Sequence, residues 1–326
     1  METETRYHPS AEQLALGSTI EESLVELLPL SRLHASHHED AATWKSLEEI
    51  GVFGIGLSEE LGGSGLGAVE EALIVMSLGC RLASPGVLAT IGAAHVPLSG
   101  GAMAPRGMSR AAAAYWHNDR IIIVQEPEAA VVLLRDLGGA TLHDRSLCLS
   151  KPVDDRLWLA QLHEAAEMGE PLARLDGSQH ARLRLIDAAA LAGVAAAALD
   201  MTVAYAQVRE QFGRPIGSFQ AVKHHCANMA IAARCARDQA TFAAVALDEG
   251  RVDAQLQVEC AFLVAGSAAL ENAKLAIQIH GGMGFSDEAD PHLLLKRARL
   301  LIAIAGGLEA ASWRIASDQR GGVTCR

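Results

Sequence analysis

Apolar positions repeat with two different periods along the chain. From about residue 10 to 105 they fall at helical spacing. Residues 20–33 put Leu24, Leu27, Leu28 and Leu33 on roughly one face, and Pro29 predicts a kink or break there. A shorter amphipathic piece covers 41–50. Gly51 and Gly54 interrupt it, and 61–65 reads as a loop. Helical spacing resumes over 68–82, stops at Ser84-Pro85-Gly86, and returns over 87–96. The period then shortens. Runs at 120–124, 130–134, 140–142, 147–149 and 157–162, separated by turn residues, predict strands of a small antiparallel sheet. Residues 180–185 alternate, as a last strand or as the lead into the next helix. Beyond them lie helices at 188–211, 219–249 and 252–280. In the last of these Leu256, Cys260, Leu263, Leu270 and Ile277 form a bundle-type stripe. A fourth helix, 293–316, is preceded by Pro291 and interrupted by Gly306-Gly307. The predicted fold is mainly α with a small β domain: an N-terminal helical domain (1–105), a β middle domain (106–180) and a C-terminal four-helix domain (181–326).

Composition reinforces the helical reading. Half of the residues are hydrophobic but only 4% are aromatic, and the apolar content is rich in Ala and Leu. A formal net charge of −12 argues against a nucleic-acid surface. No uninterrupted apolar stretch of membrane-spanning length is visible, and residues 1–12 lack the apolar core of a signal peptide, so no membrane association and a cytoplasmic location are expected. The six cysteines match no zinc spacing and read as buried or incidental thiols. His34, His37 and His38 read as solvated, as do His224 and His225. Lys296-Arg297-Ala298-Arg299 reads as a solvated basic face, with an anionic ligand such as CoA as the alternative.

The most informative run is Arg209-Glu210-Gln211-Phe212-Gly213-Arg214-Pro215-Ile216-Gly217, joined by Gln278-Ile279-His280-Gly281-Gly282-Met283-Gly284-Phe285. Each closes a long helical pattern. With Leu47-Glu48-Glu49-Ile50-Gly51-Val52-Phe53-Gly54 and Glu59-Glu60-Leu61-Gly62-Gly63-Ser64-Gly65-Leu66-Gly67 upstream, the chain resembles the acyl-CoA dehydrogenase family. The resemblance implies that the Arg209 segment reaches across a subunit interface to a neighbour's FAD. Arg209 would pair with the pyrophosphate, to which a guanidinium fork is suited. Gln211 and Phe212 would line the flavin or adenine side. Gln278, Gly281 and Gly282 would contact the adenosine half, where backbone must come close.

Departures from the family pattern are as informative. The family removes a proton from the acyl α-carbon with a carboxylate while hydride leaves the β-carbon for flavin. Counting from Gly281-Gly282 places Ala305 at the usual Glu position, with Glu309 about one turn on. The alternative base position falls at Leu183, with Asp187 the closest acid. The family's flavin loop, roughly Thr-Glu-Pro-x-x-Gly-Ser-Asp, is reduced to Glu126-Pro127, which reads as a hairpin turn. The β region is also short for the family. Together these imply the smaller, degenerate subunit of a heteromeric α2β2 dehydrogenase of the steroid type. Its expected partners are a full-length acyl-CoA dehydrogenase-like chain carrying the base, an acyl-CoA substrate and an electron-transferring flavoprotein. Two alternatives remain: a homo-oligomeric dehydrogenase using Asp187 or Glu309, and a non-catalytic assembly scaffold.

Overall fold

A computed structural model describes residues 6–36, 38–96, 110–136, 139–153 and 159–321. Four helices come first: α1 (Ala11–Leu27), α2 (Ala41–Glu49), α3 (Ala68–Cys80) and α4 (Pro85–Ala94). Local chemistry sets their ends. Ser10 and Gln13 form a capping box at α1, Asp40 caps α2, and Ser84 caps α4 with Pro85 in its first turn. Pro29 breaks the first pattern as expected, and the chain continues as a 3₁₀ turn, Leu30–His34. The helix before it begins earlier than the apolar stripe suggests, because the Ser10 cap starts it.

The sheet has strands β1 (Arg110–His117), β2 (Arg120–Val124), β3 (Ala129–Arg135), β4 (Ala140–Asp144), β5 (Leu149–Val153), β6 (Leu162–Glu167) and β7 (Ala173–Arg174). Their spatial order is β5-β6-β2-β1-β3-β4-β7. Pairing is antiparallel except between β1 and β3, which are parallel. That pair corrects two expectations. The central strand β1 was not foreseen, because the run Ala111–Ala114 lacks β-branched side chains; its small residues instead let α4 pack closely, with Ala89 and Ala93 in the same cluster as Ala111 and Ala113. The segment at Glu126-Pro127 is not a hairpin: β2 and β3 lie on opposite sides of β1, so the chain crosses the start of β1 there. The predicted strand at 147–149 is mostly a 3₁₀ turn, Arg145–Leu147, with β5 beginning at Leu149. The strand expected at 157–162 begins outside the described residues, and β6 starts only at Leu162.

The C-terminal helices are α5 (Gly177–Val208), α6 (Gln220–Asp248), α7 (Ala254–His280), α8 (Pro291–Ile304) and α9 (Leu308–Gly321); a small hairpin, β8 (Glu210–Gln211) with β9 (Arg214–Pro215), follows α5. The alternating segment 180–185 is helical, since an Asp176–Gln179 capping box starts α5 well before it. Gly306 and Gly307, both at positive φ, divide the predicted fourth helix into α8 and α9. Glycine is required where α3 and α5 cross: a Cβ on Gly79 would strike the Ala190 carbonyl, and one on Gly193 the Met76 carbonyl. The two helices therefore meet backbone to backbone.

By length and composition, α5 and the stretch Ala254–Phe285 could each cross a membrane, contrary to the sequence expectation. Within the fold, 67% and 56% of their most apolar windows are buried inside the protein. Their apolarity builds the core of the bundle.

Candidate functional site

Two regions carry the residues singled out by sequence. The first lies where α5 and α7 end. Arg209 is the C-terminal cap of α5; its amide donates to the Tyr205 carbonyl at 2.8 Å and its own carbonyl accepts from the Ile216 amide at 2.7 Å. These bonds close the hairpin in which Gln211 faces Arg214. The two residues between them, Phe212 (φ 55°) and Gly213 (φ 75°), both have positive φ, as a two-residue type I′ turn requires. For a Phe this is a strained conformation, at a cost of about 1–2 kcal/mol. The side chain is also 91% exposed. Its ring meets Phe219 edge-on at 6.1 Å, and the Arg214 guanidinium lies 4.2 Å over the same Phe219 ring. The Arg209 side chain is exposed and has no hydrogen bond or ion pair among the described residues.

Gln278 stands exposed on the last turn of α7. Gly281 ends that helix at φ 63°, ψ −136°, a conformation that excludes other residues, although a Cβ on Gly281 or Gly282 would meet nothing. These glycines thus leave open surface. Sequence reasoning missed the contact joining the two segments. The Tyr205 and His280 rings stack at 4.0 Å and 22°, and the Tyr205 hydroxyl approaches the His280 carbonyl at 3.4 Å. The pair lies 75 positions apart, so no local pattern reveals it.

The second region is the turn between α8 and α9. Ala305 is buried there, and its carbonyl accepts from Nη1 of Arg184 at 2.6 Å. Arg184 is itself buried, forked onto Glu259 at 3.2 and 2.9 Å and stacked over Phe262 at 3.7 Å. Arg314 Nε approaches Glu259 at 3.1 Å from the other side. Asp187 is buried and bound through both oxygens to Arg135, at 3.3 and 2.5 Å. A carboxylate so engaged is held in place, and its charge is compensated by Arg135. Glu309, in the first turn of α9, is exposed. Leu183 and Asp187 border a cavity of about 20 Å³ with Leu301 and Ile304, room for about one water molecule. Burial, with help from Arg135 and Arg184, pushes the nearby His180 imidazole down to about 4. On its outer side the turn borders an open cleft of about 780 Å³, where Gly306 and Gly307 face Trp116, His117 and Asp119 at the β1–β2 turn.

The Glu126-Pro127 segment lies against the start of α4. Glu126 is buried beside Arg110 (3.4 Å) and Ser84 (3.5 Å), and Ser84 also donates its amide to Glu39. Burial and the neighbouring Glu39 carboxylate raise Glu126 to about 8. Its role is to join the sheet to the N-terminal helices. The basic run at 296–299 is not a solvated face throughout: Arg297 is fully buried, and burial lowers it to about 10. His34 pairs with Asp290 at 2.7 Å, whereas His224 and His225 are exposed; His37 lies outside the described residues. Among the described residues no group of three or more His, Cys, Asp or Glu side chains could hold a metal.

Comparison with known proteins assigns both ends of the chain. Residues 10–103 match the acyl-CoA dehydrogenase N-terminal domain, and residues 177–319 match the acyl-CoA dehydrogenase C-terminal domain. The chain is 33% identical over 317 residues to acyl-CoA dehydrogenase FadE34 of Mycobacterium tuberculosis; the match covers 88% of this chain and spans 44% of that longer protein. It is 32% identical over 267 residues to acyl-CoA dehydrogenase IpdE2 of the same organism, covering 79% of this chain and 80% of that one. Among solved structures, the ChsE4-ChsE5 complex from Mycobacterium tuberculosis superimposes with a TM-score of 0.77 at 21% identity, covering 98% of this chain and 100% of the other. A variant of the steroid ACAD Tcur3481-Tcur3483 superimposes with a TM-score of 0.78 at 22% identity over 95% and 98%.

Proposed function

The chain belongs to the acyl-CoA dehydrogenase family, and from that premise we propose that it is the base-lacking subunit of a heteromeric, FAD-dependent acyl-CoA dehydrogenase. In this reading Arg209, Gln211, Phe212, Gln278, Gly281 and Gly282 complete an FAD site whose catalytic carboxylate stands on a full-length partner. When bound, FAD supplies the hydride acceptor for α,β-dehydrogenation of an acyl-CoA thioester. This chain's own part is to hold the dinucleotide. Arg209 offers a charge-assisted fork to phosphate oxygens, Phe212 offers an aromatic face, and the open glycine surface at 281–282 admits close backbone approach.

One observation carries the proposal: the Arg209 side chain is exposed and unpaired among the described residues, while Asp187, the acid nearest to Leu183, is bound to Arg135 and Ala305, at the position counted as the base, has no acid to offer. The residues of the arm fit part of a dinucleotide site but do not enclose one. The space beside Leu183 and Asp187 itself holds about one water. Two further lines of support concern the partner and the acyl class. A solved two-component complex, ChsE4-ChsE5, has the same fold, and so does a steroid ACAD. By analogy the acyl group is a bulky, steroid-derived one, and an electron-transferring flavoprotein is the acceptor.

The test is co-expression with a full-length acyl-CoA dehydrogenase encoded beside it. The complex is expected to purify yellow and to oxidise an acyl-CoA, and the lone chain to do neither. Full flavin occupancy of the lone chain would overturn the heteromeric reading. A complex that assembles and keeps its flavin and activity in the Arg209→Ala variant would reduce the chain to a scaffold.

A further inference from the structure

We infer that Tyr205 and His280 are a positioning pair that fixes the two halves of the arm against each other before any nucleotide arrives. The inference rests on the arm's role given above. Tyr205 lies on the last turn of α5, four residues before Arg209, and its carbonyl receives the Arg209 amide. His280 is the last residue of α7, between Gln278 and Gly281. Their stacked rings, with the hydroxyl-to-carbonyl approach, are the one side-chain hydrogen bond or ring contact among the described residues that joins these two last turns.

The geometry of the pair is over-determined. His280 is buried, and its Nδ1 bonds the Ala276 carbonyl at 2.6 Å, one turn back on its own helix. That bond fixes the ring plane against which Tyr205 stacks. Burial lowers the imidazole's affinity for protons, so a neutral ring faces the phenol. Helix ends fray, and the side chains of Arg209, Phe212 and Gln278 are exposed. Without a link, both termini would be ordered only on binding, at an entropic cost that preorganisation removes. The stack supplies that link from beneath. Neither ring needs to touch the nucleotide: Tyr205 acts on Arg209 through the helix end, and His280 acts on Gln278 and Gly281 in the same way.

The experiment has two arms. In hydrogen-exchange mass spectrometry on the purified chain, Tyr205→Leu and His280→Ala are each expected to speed exchange in both 209–217 and 278–285 by about tenfold, with the centres of α5 and α7 unchanged. Tyr205→Phe, which keeps the stack, is expected to stay within about twofold of the wild type. Faster exchange only in the mutated helix end overturns the pairing, and equal damage from Tyr205→Phe overturns the stack as its link in favour of the hydroxyl contact. In the co-expressed complex, FAD titration is expected to show about tenfold weaker binding for Tyr205→Leu and rescue by Tyr205→Phe. Trp44→Leu, which removes the remote Trp44–Phe53 stack, serves as the stability control: it is expected to lower the melting temperature and leave FAD affinity unchanged. If Arg209→Ala leaves FAD binding intact, the functional reading fails, and the exchange data still decide the pairing. If Arg209→Ala weakens FAD and Tyr205→Leu does not, the positioning role alone fails.

Discussion

The arm at the ends of α5 and α7 and the turn at Ala305 hold similar chemical groups in opposite states. In the arm, Arg209 and Phe212 face outward, one without a partner and the other in a strained backbone conformation. Beneath the turn, Arg184 and Asp187 are buried and fully engaged, by Glu259 and the Ala305 carbonyl in one case and by Arg135 in the other. A buried charge must find its compensation inside the chain. An exposed one is free to find it in another molecule. The interior groups therefore serve the stability of this chain, whereas the Arg209 side chain is not engaged in it.

The sharpest way to break this contrast is to cut an interior pair. Asp187→Asn leaves the Arg135 guanidinium buried without its counter-charge, and is expected to cost about 3 kcal/mol in urea unfolding. Turnover per folded complex should not change. A large loss of turnover with little loss of stability would restore Asp187 as a base. On the arm the pattern should invert. Arg209→Ala is expected to weaken FAD binding by about 2 kcal/mol in titrations of the complex, while stability stays within about 0.5 kcal/mol.

A third test uses pH. Glu126 is raised to about 8, so the folded state holds its proton where the unfolded chain releases it. Its stabilising contribution is fully present below the ordinary Glu range, falls as pH rises from there to about 8, and is flat above. The slope is at most about 1.4 kcal/mol per pH unit. Glu126→Gln should flatten that limb of the stability profile in urea midpoints measured between pH 5 and 9. An unchanged profile would show that the Glu126 carboxyl is ionised in the fold. The smallest effect concerns the strained turn. Phe212→Gly relieves the positive φ and should stabilise the chain by about 1 kcal/mol while weakening FAD binding in the complex. A destabilised Phe212→Gly chain would mean that the Phe212–Phe219 contact outweighs the strain.

Much of this was legible in the sequence. The helix end at Gly281, the break at Pro29 and the division at Gly306-Gly307 are local signals, and the helices follow them; Ser84-Pro85-Gly86, read as a stop, also starts α4, with Ser84 as its cap. Arg209 and Gly281 were legible because the two runs containing them resemble family signatures. What stayed hidden was non-local. The Ala111–Ala114 strand is held by β2 and β3 on either side, not by its own propensity. The burial of Arg297 cannot be read from a run of basic residues, since it depends on what packs over α8. Arg135 gave no sign that it would neutralise Asp187, 52 positions away. Tyr205 and His280 belong to different helices and meet only when both are complete.

The crossing of Gly79 and Gly193 has a mechanical consequence. Helix α5 is 32 residues long, a rod of about 48 Å. Gly193 sits near its middle, and Arg209 stands at its tip, about 24 Å further along. The glycine contact is thus a fulcrum, and α5 is a lever whose aim is set there. A methyl group added at Gly193 must push the helices apart, and a tilt of about 5° at the fulcrum swings Arg209 by about 2 Å. That is most of a hydrogen-bond length. The alignment of the Arg209 guanidinium is therefore decided deep in the bundle, by two residues without side chains.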